Sequence, residues 1–196
     1  PIPVRMGLVG YNGAPVPFRL APDAPFAEEH VLLITGKTYL QTVYPETKSK
    51  LVPSLLRNFS APVILQDDLT QSERLQLLAH DADMFNRWDA AQTLFSHQIL
   101  AIAIDPNGKL DEAAMAALGN TLAAGMADSN LLDMFKAGLI TLPAISVLES
   151  RMSPADPIAL FHARRKVEAE LGHLLTSKIS SVLARHSGPL DTSSKL

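Results

Sequence analysis

The sequence predicts an α+β protein built as two modules. A small immunoglobulin-like β-sandwich covers residues 1–66, and antiparallel α-helical hairpins, the start of an α-superhelix or solenoid, cover 67–196. Three observations predict this. Short apolar runs of period two, punctuated by Gly, Pro and Asn-Gly, crowd the first third of the chain, which is the chemistry of strands and turns. From Asp67 onward the apolar period becomes helical and the runs begin at capping residues. Formal charge divides at the same place: residues 1–66 carry 6 basic and 4 acidic side chains (+2), leaving 11 basic and 16 acidic (−5) for the remainder.

In the first module, Val4–Val9 and Val16–Leu20 flank Gly10-Tyr11-Asn12-Gly13, and Asn-Gly between apolar runs predicts a hairpin. His30–Thr35 and Thr38–Tyr44 face each other across Gly36-Lys37. The second of these alternates, with Tyr39, Gln41 and Val43 on one face and Leu40, Thr42 and Tyr44 on the other. Ser54–Phe59 and Val63–Gln66 complete six or seven expected short strands, separated at Pro62, a residue that strand edges tolerate.

The second module opens on the capping box Thr70-Gln71-Ser72-Glu73. A helix over about Met84–Ile104 places Phe85, Trp88, Ala91, Leu94 and Phe95 on one stripe and stops at Asp105-Pro106-Asn107-Gly108. Further helices are expected over about Asp111–Met126, over Asn130–Ala137 and, briefly, after Pro143. The longest runs from Asp156-Pro157, a cap followed by a proline at the first helical position, to about His186. Stacked hairpins of this kind need further units or a cap to cover their ends. The polar terminus from Ser187 to Leu196 offers none, and the opening Pro1-Ile2-Pro3-Val4 lacks an initiator Met and a leader. The expectation is therefore a segment of a longer protein, on whose cut end Ser194-Lys195-Leu196 carries no address.

Composition excludes several classes of function. With 47% hydrophobic and 19% charged residues the chain lies outside the disordered range. No apolar run approaches the roughly 20 residues of a membrane span. The absence of cysteine removes disulfides, thiolate metal sites and a cysteine nucleophile. A net charge of −3 argues against nucleic acid as the partner.

The six histidines are His30, His80, His97, His162, His173 and His186, and none stands in a His-Glu-x-x-His pattern. His162 and His173 share a helix face but lie about 16 Å apart, too far for one metal. The basic run His162-Ala163-Arg164-Arg165-Lys166 reads as a solvated face, with Arg164–Glu168 and Lys166–Glu170 as i,i+4 pairs. Asp67-Asp68, Asp81, Asp83 and Asp89 read as caps and surface pairs, with Asp83 within reach of Arg87. Asn58-Phe59-Ser60 matches a glycosylation sequon by coincidence. No nucleophile elbow, phosphate loop or dinucleotide fingerprint occurs, so the expected catalytic, cofactor-binding and metal residues are none.

At the junction the sequence becomes specific. Val52-Pro53-Ser54-Leu55-Leu56-Arg57-Asn58-Phe59-Ser60-Ala61-Pro62-Val63, with Asp83-Met84-Phe85-Asn86-Arg87-Trp88-Asp89-Ala90-Ala91-Gln92, resembles the bacterial aminopeptidase N family of zinc-dependent alanyl aminopeptidases, which are gluzincin metallopeptidases. Leu139-Ile140-Thr141-Leu142-Pro143 and Asp156-Pro157-Ile158-Ala159 resemble the same family in the same order. The resemblance implies a third β-sandwich domain and the first helices of a C-terminal helical domain. It also implies that the zinc helix, the Gly-Ala-Met-Glu-Asn segment that holds the substrate amine and the oxyanion tyrosine all lie in other domains, since none of these motifs is present. The implied role is a non-catalytic bridge and partial lid in a cytoplasmic peptide hydrolase, its partners the catalytic and remaining helical domains of the same chain and, for the parent, peptide substrates. Zinc would belong to the parent and not to this segment. Trp88 is expected as helix core or anchor, and Arg87 as the partner of Asp83 or of a loop carbonyl. The alternative is a free-standing sandwich and helical-repeat interaction module without enzymatic activity.

Overall fold

The computed structural model describes residues 1–105 and 107–185, and for Arg185 the backbone alone. His186, the Ser187–Leu196 terminus and Pro106 lie outside the described residues. The two-module architecture holds. Its β module is built from β1 (Ile2–Gly10), β2 (Phe18–Arg19), β3 (Glu29–Ile34), β4 (Tyr44–Pro45) and β5 (Leu51–Leu55). One antiparallel sheet has the order β3-β1-β5, and β2 pairs with β4 in a second. Met6, Leu8, Val16, Phe18 and Leu32 fill the space between them.

The strand pairing differs from the sequence expectation in four places. The Gly10–Gly13 turn does reverse the chain, with Gly13 N–H donating to Gly10 O at 2.9 Å and Gly13 at φ 84°. The pairing that follows it is a single bridge, Val9 with Pro15. Pro15 and Pro17 offer no ladder donors, and both edges of β1 are already taken by β3 and β5. The chain then crosses to the second sheet. Likewise β3 pairs with β1, in the register Ile2 with Ile34, and not with the Thr38–Tyr44 run. Only Tyr44 of that run is in a strand, and Leu40 is 92% exposed, so its alternation marks no buried face. The expected Ser54–Phe59 strand ends at Leu55, and Val63–Gln66 forms no strand, with Ile64 in solvent.

The helices follow the sequence more closely: α1 (Gln71–His80), α2 (Met84–Ile104), α3 (Glu112–Ala127), α4 (Asp133–Leu139), α5 (Ile145–Glu149) and α6 (Pro157–Arg185). Local chemistry sets their starts. Thr70 and Glu73 close a full capping box, and the Thr70 hydrogen bonds hold the Glu73 carboxyl below its usual range. Asp83 and Asp111 cap α2 and α3 through the amides of Asn86 and Ala114. Asp156 accepts from the Ile158 and Ala159 amides at the start of α6. One apolar core joins α1, α2, α3 and α6 through Leu78, Phe95, Ile99, Met115, Leu160 and Leu175. Helix α4 starts later than the sequence suggests, after Leu132.

Candidate functional site: the buried joint between the modules

The side chains with the densest polar connections lie where β5 runs out and α2 begins. Leaving β5, the chain passes through three left-handed residues, Leu56 (φ 58°), Asn58 (φ 53°) and Phe59 (φ 50°). For leucine and phenylalanine this conformation is strained. The turn buries the Arg57 guanidinium under the sheet, and the contacts of that group hold the strained backbone in place. Arg57 Nε donates to Ser54 Oγ at 2.7 Å, and Nη2 to Asp81 Oδ1 at 3.0 Å. Nη1 faces Glu29 Oε2 at 3.7 Å, and Glu29 also accepts from Arg5 at 2.8 Å. The Arg57 and Asp81 side chains are 5% and 0% exposed, so this pair is screened little by solvent.

Asn86 and Asp83 fasten the same joint from the helical side. Asn86 Nδ2 donates to Ser54 Oγ at 2.8 Å and to Leu55 O at 2.9 Å. Asp83 Oδ2 accepts from the Asn58 amide at 2.8 Å while Oδ1 caps α2. Gly7 of β1 leaves room for the guanidinium, because a Cβ there would lie 2.6 Å from Arg57 Nη2 and nearer still to its other atoms. Two outer ties add to this: Gln76 Nε2 donates to Gly10 O at 2.7 Å, and Lys50 pairs with Glu73 at 3.3 Å. Phe59 packs edge-on to Phe85, with ring centroids 5.3 Å apart, and Phe85 in turn meets Trp88 at 5.8 Å.

These positions correct several sequence expectations. Asp81 and Asp83 are buried parts of the joint and not surface pairs. Arg87 makes no pair with Asp83, whose oxygens are engaged by two amides; its Nε donates to Leu78 O at 2.9 Å, a helix carbonyl in place of a loop one. Trp88 is 38% exposed and sits at the rim of the joint, because the turn of α2 that carries it faces Phe85 and solvent rather than the helical core. Of the two pairs expected on α6, Arg164–Glu168 forms at 3.8 Å, whereas Glu168 is held more closely by Arg165, at 2.9 Å. Among the described residues Lys166 and Glu170 do not pair. Arg57 and Ser54, which the structure joins, have no role in the sequence expectations. The available signal was a lone arginine inside an apolar run with no carboxylate four residues away to neutralise it.

The remaining candidates stay apart. His30 hydrogen-bonds Phe18 O at 2.8 Å, and His80, His97, His162 and His173 stand on exposed helix positions. Asp67 is tied to Arg74 at 2.6 Å. Asp89 lines a hollow of about 130 Å³ with Leu65, Leu69 and Arg74, and burial raises its pKa against the field of Arg74 and Arg151. Among the described residues no three His, Asp or Glu side chains converge closely enough to hold a metal ion. The donors among the described residues do not fit zinc.

Two family descriptions divide the chain in the same manner. Residues 1–68 match a domain of unknown function with an Ig-like fold (DUF3458), and residues 71–195 match its C-terminal counterpart with ARM repeats (DUF3458_C). The chain belongs to the DUF3458_C family. Its relatives include aminopeptidase N of Caulobacter vibrioides, 33% identical over 80% of this chain, and aminopeptidase N of Escherichia coli, 28% identical over 67%. The chain spans 18% and 15% of the length of these relatives. A crystal structure of Legionella pneumophila aminopeptidase A in complex with aspartic acid superposes on all of this chain with TM-score 0.78 at 26% identity, and the chain covers 21% of that protein. The resemblance to the aminopeptidase N family is thus borne out.

Proposed function

We propose that this chain is a non-catalytic bridging segment of a zinc metallo-aminopeptidase that removes the N-terminal residue from peptides. In this reading residues 1–66 form a sandwich domain and 67–196 the first helices of a truncated helical domain. None of its residues is catalytic, binds a cofactor or ligates metal. The reading rests on one observation above the others, the 33% identity to Caulobacter vibrioides aminopeptidase N over four-fifths of this chain but less than a fifth of that relative. The buried joint supports it mechanically. A charged cluster closed over strained backbone makes a stiff elbow, and a stiff elbow can hold a helical lid over a catalytic domain elsewhere in the parent. Zinc in the parent would polarise the scissile carbonyl and activate water. The cysteine-free sequence fits a parent that works in the reducing cytoplasm.

The test is direct. The purified chain should bind no stoichiometric zinc and leave aminoacyl amides intact, while the full gene product binds zinc and hydrolyses them. Stoichiometric zinc or hydrolysis in the isolated chain overturns the reading. A reading frame confined to these residues would instead favour a free-standing interaction module.

A further inference from the structure

Away from the joint, α1, α2 and α3 wall a cleft of about 510 Å³ whose lining includes His80, Arg87, Asn120, Gly125 and Asp128. Arg87 is 8% exposed, yet only one of its nitrogens is used by the protein. The bond from Nε to Leu78 O stops the guanidinium from rotating, and the Phe135 ring lies beneath it with its centroid 5.9 Å from the guanidinium carbon. Nη2 points toward Gly125 of α3, where a Cβ would sit 3.8 Å away. Among the described residues neither Nη group has a hydrogen-bond acceptor. Both Nη groups open onto the cleft, where their donors are free to meet an incoming acceptor. The planar Nη1–Nη2 edge can take a carboxylate or a phosphate through two parallel bonds, and the negative charge of nearby Asp128 disfavours the more highly charged phosphate.

A carboxylate alone would be a poor occupant. Asp128 lines the same cleft, and its negative charge is the strongest of the fields that oppose the effect of burial on Arg87. One of its oxygens accepts from the Asn130 amide at 2.9 Å, and among the described residues it closes no ion pair with Arg87. Opposite charges thus stand apart across a space of small-molecule size. A lone anion is repelled by one of them and a lone cation by the other. A molecule carrying both charges satisfies each. The Thr121 hydroxyl, also in the lining, donates to Ala117 O and so adds only acceptor capacity.

The geometry points to this cleft as a binding site for a small zwitterion, a free amino acid or a short peptide, with its carboxylate on the Arg87 Nη edge and its ammonium toward Asp128. The proposal is independent of the bridging role.

The experiment is a titration of the ¹⁵N-labelled chain with glycine and diglycine, alongside acetate and methylammonium. Saturable shifts of the Gly125 and Asp128 amides are expected for a zwitterion, with Kd on the order of 1–10 mM, and about tenfold weaker binding for either single-charge probe. The tighter of glycine and diglycine tells amino acid from peptide. Asp128→Asn should weaken glycine binding about tenfold without weakening acetate. Gly125→Ala keeps the helix, since alanine is the better helix former, and sets a methyl in van der Waals contact with Nη2 at the cleft, so it should weaken glycine binding about tenfold in a folded chain. The proposal is overturned if neither zwitterion gives saturable shifts up to about 100 mM, if acetate binds as well as glycine, or if both variants bind glycine as the native chain does.

Discussion

Arg57 and Arg87 are both buried, both reach the end of α1, at Asp81 and at Leu78 O, and both hold a neighbouring oxygen through Nε. They differ in what surrounds the rest of the guanidinium. Arg57 meets Asp81 and Glu29, and its charge is cancelled inside the protein. Arg87 meets an aromatic face and an open cleft. The comparison teaches that burial of a charge does not by itself mark structure or binding. Whether its remaining donors are engaged decides between them.

The largest effect that could sharpen this contrast is on stability. Arg57→Ala leaves Asp81 buried without its counter-charge and should cost about 3–5 kcal/mol in urea unfolding at neutral pH. Arg87→Ala strands only the Leu78 carbonyl and should cost about 1–3 kcal/mol. Equal losses would break the distinction between a closed and an open arginine. Next in size is Gly7→Ala, expected to cost about 1–3 kcal/mol by overpacking against the guanidinium. That penalty should largely vanish in an Arg57→Ala background, and a double-mutant cycle that sums additively would show that the two positions do not share space.

The smallest effect concerns Asp89. Its folded pKa is raised by burial, so the folded state binds the proton more tightly than the unfolded one. The stability this gives is full below the unfolded value and is lost as pH rises through the folded value. Asp89→Asn should therefore stabilise the chain at about pH 7, by less than about 1 kcal/mol, with the gain fading toward about pH 3. A gain unchanged across that range in thermal unfolding would assign the effect to something other than the carboxylate.

The helical module was legible in the sequence almost residue by residue. Its signals are local: Thr70 with Glu73, Asp111 before Glu112, and Asp156 before Pro157 each satisfy amides within one turn, so the information lies within four residues of the place it acts. The β module was legible only as a class. Strand pairing joins residues far apart in the chain, and Val31 or Leu32 has no means of announcing that its partner is Arg5 or Val4 rather than a residue across the nearest turn. The joint was hidden for the same reason. Arg57 and Asp81 are 24 residues apart, and nothing local in either marks the other.

By itself, then, the sequence determined the two modules, the starts of the long helices and the likeness to a family, because periodicity, capping and motif are short-range properties. Tertiary structure alone decided which strands pair, which aspartates are buried and which arginine keeps its donors free. Those outcomes depend on segments distant in the chain meeting where water is excluded, and there a charge must find its partner in space.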